Sequence, residues 1–277
     1  MEQTQIPFTV SARTARLIGQ ENFANAEGAI IELVKNSYDA EASICVVIVD
    51  PVNDCIRILD NGDGMTEKII RNQWMTIGTD DKKLNFRTKS RVKTGAKGIG
   101  RFALDRLGKS SILVSKTLES EGLVWDVDWN QFENTGAIIS DIRATLQVGN
   151  VNFWDEISEV QKFSGIDDSL VDFWKEEKGT LISIENLRDN WDEKSIESLY
   201  SNLEILLPPL DTNIFQVYLY STIEQGNYGK VVPTSCDDYD YKITAKVDEE
   251  LNVNIDVYRN ELNIGDLKRT GFLRNQS

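Results

Sequence analysis

Residues 32–40 read ELVKNSYDA and residues 60–65 read DNGDGM. The pairing of these two stretches decides the fold. The first closes a helical pattern that runs over residues 10 to 40, with a break near Glu21 to Asn25. After about Ala26 it places Ile30, Leu33 and Val34 on one apolar face. Glu32, Asn36 and Asp39, spaced by four and seven residues, form a polar stripe beside that face. A carboxylate and an amide one turn apart can do linked work: the amide oxygen as a neutral magnesium ligand, the carboxylate orienting and deprotonating a water. A merely solvated face gives the same spacing.

The second stretch follows a strand. Ser43 to Val49 and Cys55 to Leu59 read as neighbouring strands joined by the turn Pro51–Val52–Asn53–Asp54. Asp60 at a strand end can accept a hydrogen bond from an exocyclic amine, and Gly62 and Gly64 let a flat ring approach the backbone. An ordinary turn uses the same residues. A calcium loop fails, because its third ligand position falls on Gly62.

A third segment, GAKGIGRF at residues 95–102, is a glycine-rich loop entering a helix expected over Ile99 to Leu107 and ended by Gly108. Its backbone N–H groups, the helix N-terminus and Lys97 make a phosphate cradle. Gly98 to Ala103 also fits the dinucleotide fingerprint, but the basic, polar residues before it are no apolar strand. Gly108–Lys109–Ser110 imitates the end of a Walker A loop, yet residue 103 is Ala where that motif needs Gly. A fourth segment, Gly179–Thr180, opens the strand GTLISIENL, where a threonine could bond a base or a water. Further strands are expected at Ser111 to Ser115, Leu123 to Asp128 and Phe215 to Tyr220, and a helix at Lys194 to Leu207. Residues 140 to 178 read as an acidic, tryptophan-containing helical insertion. After Ser221 come a polar linker and strands at Tyr241 to Val247 and Val253 to Tyr258.

Composition bounds the alternatives. The 277 residues are 40% hydrophobic and 27% charged, as in a globular protein. No apolar run nears the roughly 18 residues of a membrane span. The polar N-terminus lacks the regions of a signal peptide, and Cys45, Cys55 and Cys236 form no CxxC pair, which together point to a reducing cytoplasm. A net charge of −15 argues against direct DNA binding by this chain. The exception is the basic run Lys82, Lys83, Arg87, Lys89, Arg91, Lys93, Lys97 and Arg101. With no histidine in the chain, histidine metal ligands, Ser-His systems and phosphohistidine are all excluded.

In this order the four segments resemble the GHKL superfamily: DNA gyrase B, the ninety-kilodalton heat-shock chaperones, histidine kinases and MutL, with MORC proteins as relatives. ELVKNSYDA is similar to its N-box, DNGDGM to its adenine turn, GAKGIGRF to its second glycine motif and GT to its late threonine motif. The resemblance covers about residues 1–222. It implies the Bergerat fold, an α+β, two-layer α/β sandwich whose mixed, mostly antiparallel sheet carries helices on one face. A short β-rich segment, 223–277, would follow as the start of a second domain.

The resemblance also implies ATP and Mg2+ as ligands and assigns roles. Glu32 would be the general base, Asn36 the magnesium ligand and Asp60 the acceptor for the adenine amine. Gly62 and Gly64 would line the base, and Thr180 would support its water network. Residues from about 79 to 98 would form a mobile lid, and Lys97, Gly98 and Gly100 would touch the phosphates. Asp39, Ala40, Met65, Thr79, Ile99, Arg101 and Phe102 complete the implied nucleotide-binding set. An ATP-dependent homodimer is implied, as is a downstream domain or partner protein supplying a lysine not found in this chain. The motif wording is closest to MutL, MORC and bacterial chaperone-like ATPases. Phosphotransfer to another chain and non-hydrolysing ATP sensing remain as alternatives.

Overall fold

A computed structural model of the protein describes residues 8–77, 88, 91–92, 100–162, 168–207, 214–223, 226–233, 241–248, 252–259 and 268–272. The chain divides into two compact units, Met1–Pro233 and Thr234–Ser277.

The first unit is built on a seven-stranded sheet. Its strands are β1 (Ile44–Asp50), β2 (Cys55–Asp60), β3 (Gly108–Lys116), β4 (Leu123–Asp128), β5 (Thr145–Val148), β6 (Gly179–Leu187) and β7 (Gln216–Ser221), in the order β5-β4-β3-β6-β2-β1-β7. Every neighbouring pair is antiparallel except β1 with β7. Helices α1 (Ala12–Gln20), α2 (Ala26–Asp39), α4 (Phe102–Leu107) and α6 (Glu193–Leu206) pack on one face; α3 (Glu67–Ile69) continues into a π turn over Ile70–Trp74. Helix α2 starts where the Asn25 side chain accepts the Gly28 N–H at 2.9 Å, satisfying one of the orphan amides of its first turn. Helix α4 begins at Phe102, and Gly108 ends it by passing directly into β3.

The sandwich expected from sequence is present, and the insertion adds to it. All seven residues of β1 are buried. Cys45, Val47 and Val49 pack beneath α2, α4 and α6 with Leu33, Leu104 and Leu199. The alternate residues Ile44, Val46 and Ile48 are covered from the other side by Phe153, Ile157 and Val160 of α5 (Phe153–Gln161) and by Leu170 and Trp174 of the 3-10 turn Asp168–Trp174. The unbroken apolar run of β1 reflects that two-sided cover. The insertion is not wholly helical, because Thr145–Val148 adds an edge strand to β4. Residues 226–233 stay with the first unit through the bonds Leu219 N–H to Gly229 O and Val231 N–H to Val217 O, at 2.9 and 2.8 Å.

A charged knot ties α1 to α4. The fully buried Asp105 accepts Arg16 Nε at 2.7 Å, Arg188 Nη2 at 2.9 Å and Gln20 Nε2 at 3.1 Å. Burial pushes this carboxyl above its ordinary range, and the two guanidiniums oppose that. The second unit is an antiparallel sheet of β8 (Tyr241–Val247), β9 (Asn252–Arg259) and β10 (Lys268–Phe272). The short, polar KRTGF of β10 has no alternation to announce a strand.

Candidate nucleotide site

Asp60 is the last residue of β2 and is 6% exposed. One carboxylate oxygen accepts the Ser37 hydroxyl from α2 at 2.9 Å, and the other accepts the Gly62 N–H at 2.9 Å. The antiparallel register sets Asp60 opposite Thr180 on β6, whose N–H also reaches the carboxylate. Burial nonetheless dominates and pushes the carboxyl up to about 6. Since its ordinary value is 3.8, ionisation of Asp60 opposes folding above about pH 6. The folded state therefore gains stability from this group as pH falls from about 6 towards about 4. The carboxyl 13C signal of Asp60 in the nucleotide-free protein is expected to titrate with a midpoint about two units above that of an exposed aspartate; an ordinary midpoint would show the group to be hydrated.

The turn after Asp60 is held by backbone contacts that leave little room for side chains. The Asp63 N–H donates to Ala40 O at 2.8 Å, fastening the turn to the end of α2. Gly64 has φ +70, and a Cβ there would lie 2.2 Å from Lys116 O, so the left-handed backbone and the strand β3 both require glycine. Ser115 of β3 joins the remaining parts: its oxygen accepts the Met65 N–H at 2.8 Å and its hydroxyl donates to Gly179 O at 3.0 Å. With that proton committed, the 2.9 Å contact with Thr180 is a bond donated by the threonine hydroxyl.

One residue before Ser37, the same helix turns Asn36 another way. A Cβ on Gly100 would lie 3.1 Å from the Asn36 amide nitrogen, so the end of the glycine motif comes against Asn36. Glu32, one turn earlier, is partly exposed like Asn36, while Leu33 and Val34 are buried. Helix α2 thus meets the Asp60 turn through Ser37 and the glycine motif through Asn36.

A family model described as "Histidine kinase-, DNA gyrase B-, and HSP90-like ATPase" matches residues 24–163. The chain belongs to this family. No curated protein matches the chain. Membership in an ATPase family makes ATP the general ligand of this fold, and the GHKL resemblance read from the motifs holds.

Within this GHKL domain the expected site residues separate into groups. Asn36, Ala40, Asp60, Gly62, Gly64, Met65, Gly100 and Thr180 lie on α2 and its C-cap, the Asp60 turn, the glycine motif and the start of β6, joined by the contacts above, while Glu32 is placed with them only by its position on α2 one turn before Asn36. Asp39 is buried at the end of α2. Two side chains are directed elsewhere. Phe102 is 1% exposed and packs against Trp129 and Phe132 in the core. The Arg101 guanidinium donates to Gln73 O at 3.0 Å, 5.9 Å from the Trp74 ring, and burial lowers it to about 10. Thr79, Lys97, Gly98 and Ile99 lie outside the described residues, as does the expected lid apart from Thr88, Arg91 and Val92.

Arg91, of the expected lid, is tied to the end of α2. It bonds Tyr38 O and Ala42 O at 3.0 and 2.7 Å, lies 4.5 Å from the Tyr38 ring centre, and so covers the C-terminal end of α2. Cation and helix terminus match in charge. Ser37 and Ser115 were not singled out from sequence. Ser37 falls on the apolar stripe of Ile30, Leu33 and Val34, and a polar residue on a core-facing stripe is the signal that could have found it.

The donors present fit magnesium held mainly by its nucleotide. Among the described residues no group of three or more His, Cys, Asp or Glu could hold a metal alone. Asn36 beside Gly100 offers one neutral oxygen, and Mg2+ is ordinarily bound by one or two protein ligands plus substrate phosphates and water. Among the described residues no helix is long and apolar enough to cross a membrane.

Proposed function

We propose that the chain binds Mg-ATP between α2, the Asp60 turn and the glycine motif, and hydrolyses it. The observation that carries this reading is α2 itself: consecutive residues, Asn36 and Ser37, meet the phosphate-side glycine and the adenine-side carboxylate. Asp60 accepts the adenine amine, with Thr180 and Ser37 fixing the carboxylate. Gly100 lets the backbone come close to the phosphates, with Lys97 and Gly98 beside it in sequence. Asn36 holds the metal, which when bound supplies charge neutralisation across the phosphate oxygens. Glu32 takes a proton from the water that attacks the γ-phosphorus, the new P–O bond forms to that water oxygen, and the bond to the β-phosphate oxygen breaks. A carboxylate at position 32 and the lack of any histidine to receive phosphate favour hydrolysis over phosphotransfer.

The cycle drives a conformational change or dimerisation in a larger cytoplasmic machine, with the second unit, from Thr234 onwards, beginning the next domain. The adenine contact is tested by calorimetry on Asp60→Asn. An amide presents donors where the amine needs an acceptor, so affinity for ADP with magnesium is expected to fall roughly ten- to hundredfold, the loss of about 1.5–3 kcal/mol for a hydrogen bond to a charged group. Unchanged affinity would put the base elsewhere.

A further inference from the structure

The insertion has a feature that the nucleotide site does not use. Its 3-10 turn reaches past the covered sheet face to the residues that follow β2. The Trp174 indole N–H donates to Asp60 O at 3.1 Å, and the Asn61 amide donates to Phe173 O at 2.9 Å. The same Asn61 side chain accepts the Ser43 and Ile44 N–H groups at 2.9 and 3.1 Å, so it bridges the insertion to the start of β1. Four residues beyond Trp174, Lys178 pairs with Asp63 at 3.3 Å. Three residues of one turn are therefore gripped by three residues of the insertion.

Trp174 is 2% exposed, and Leu170 beside it is 4% exposed. Both pack on Val46 and Leu59 of the sheet, which fixes the indole and so fixes the direction of its N–H. The Asp60 main chain is thus held from the insertion side, while its carboxylate is held by Ser37 of α2 and by the Gly62 N–H of its own turn. With the backbone fixed on one side and the carboxylate on the other, the remaining acceptor lobe has one direction to point.

We infer that Trp174 is a positioning residue for base recognition: by anchoring the Asp60 carbonyl it aims the carboxylate at the adenine amine, making the insertion part of the specificity apparatus. The inference rests on the proposed contact between Asp60 and that amine. The indole touches no nucleotide itself. An indole held by packing makes a stiff anchor, because its N–H cannot rotate independently of the ring.

The test compares two ligands in two proteins, by calorimetry with magnesium present. The ligands are ADP and purine riboside 5′-diphosphate, which lacks only the 6-amino group; the proteins are wild type and Trp174→Phe, which keeps an aromatic ring and removes the N–H. Wild type should prefer ADP by roughly ten- to hundredfold. In Trp174→Phe that preference should fall about tenfold through weaker ADP binding, with affinity for the amine-free ligand within about twofold of wild type. An undiminished preference, or equal weakening of both ligands, overturns the inference and leaves Trp174 as packing alone. Absence of any preference in wild type instead overturns the Asp60–amine reading, and the inference with it. Should Trp174→Phe not fold, Lys178→Met at the third anchor is measured the same way, with a two- to threefold loss of preference expected and no loss counting against the proposal.

Discussion

Glu32→Ala is expected to lower steady-state phosphate release by about 10²- to 10⁴-fold while ADP affinity stays within a few-fold of wild type. The asymmetry follows from placement. Glu32 is partly exposed on α2, one turn from Asn36, and belongs to neither apolar core. In the proposed mechanism, removing it takes away the acceptor for the proton of the attacking water, an interaction gained only as the reaction proceeds, so turnover falls and binding does not. The fold should hardly notice, because alanine is the better helix former and surface changes usually stay within about 0.5 kcal/mol. Equal turnover in the two proteins would remove Glu32 from the mechanism. Loss of nucleotide binding would show that it serves the ground state.

Asp105→Ala is expected to cost about 3–5 kcal/mol of folding stability, read as a lower urea midpoint with an unchanged slope. The carboxylate is fully buried and is shared by Arg16 and Arg188, whose side chains are 11% and 18% exposed. Without it two poorly hydrated guanidiniums face each other across the gap, and among the described residues only Glu133, which is largely exposed, offsets them. Asp105→Asn keeps the shape and one acceptor and should lose less. A change below about 1 kcal/mol for the alanine variant would mean that water reaches both arginines. Since the Asp105 carboxylate is bonded to Arg16 and Gln20 of α1 and to Arg188 just after β6, and to none of the expected site residues, ADP affinity in the folded fraction should be preserved, which separates this variant from Asp60→Asn.

The candidate site was legible to the degree that its residues act through their immediate neighbours in sequence. The 3.6-residue period placed Glu32, Asn36 and Asp39 on one stripe; alternation and turn residues placed Asp60 at a strand end; glycines marked the close approaches at Gly64 and Gly100. Side-chain direction was harder to read. Phe102 and Arg101 continue the glycine motif, yet one packs with Trp129 and Phe132 and the other turns to Gln73, because a short helix entering the core presents successive residues to different neighbours. Arg91 looked like one more cation of a basic run and instead caps α2, a role set by carbonyls of Tyr38 and Ala42, some fifty positions earlier.

What the sequence by itself determined is the inventory: the helix–strand–turn order, the four motifs in succession, and from these the GHKL family and its sandwich. Those signals are periodic or local and survive without knowing what packs where. Only the tertiary structure decided that Ser37 braces Asp60, that Ser115 joins the Met65 N–H to Gly179 and Thr180, and that residues 168–178 cover the far face of β1 and hold the Asp60 turn. The Trp174 N–H meets a carbonyl 114 positions away. Such a bond depends on strand order and on which sheet face is covered, and no local pattern encodes either.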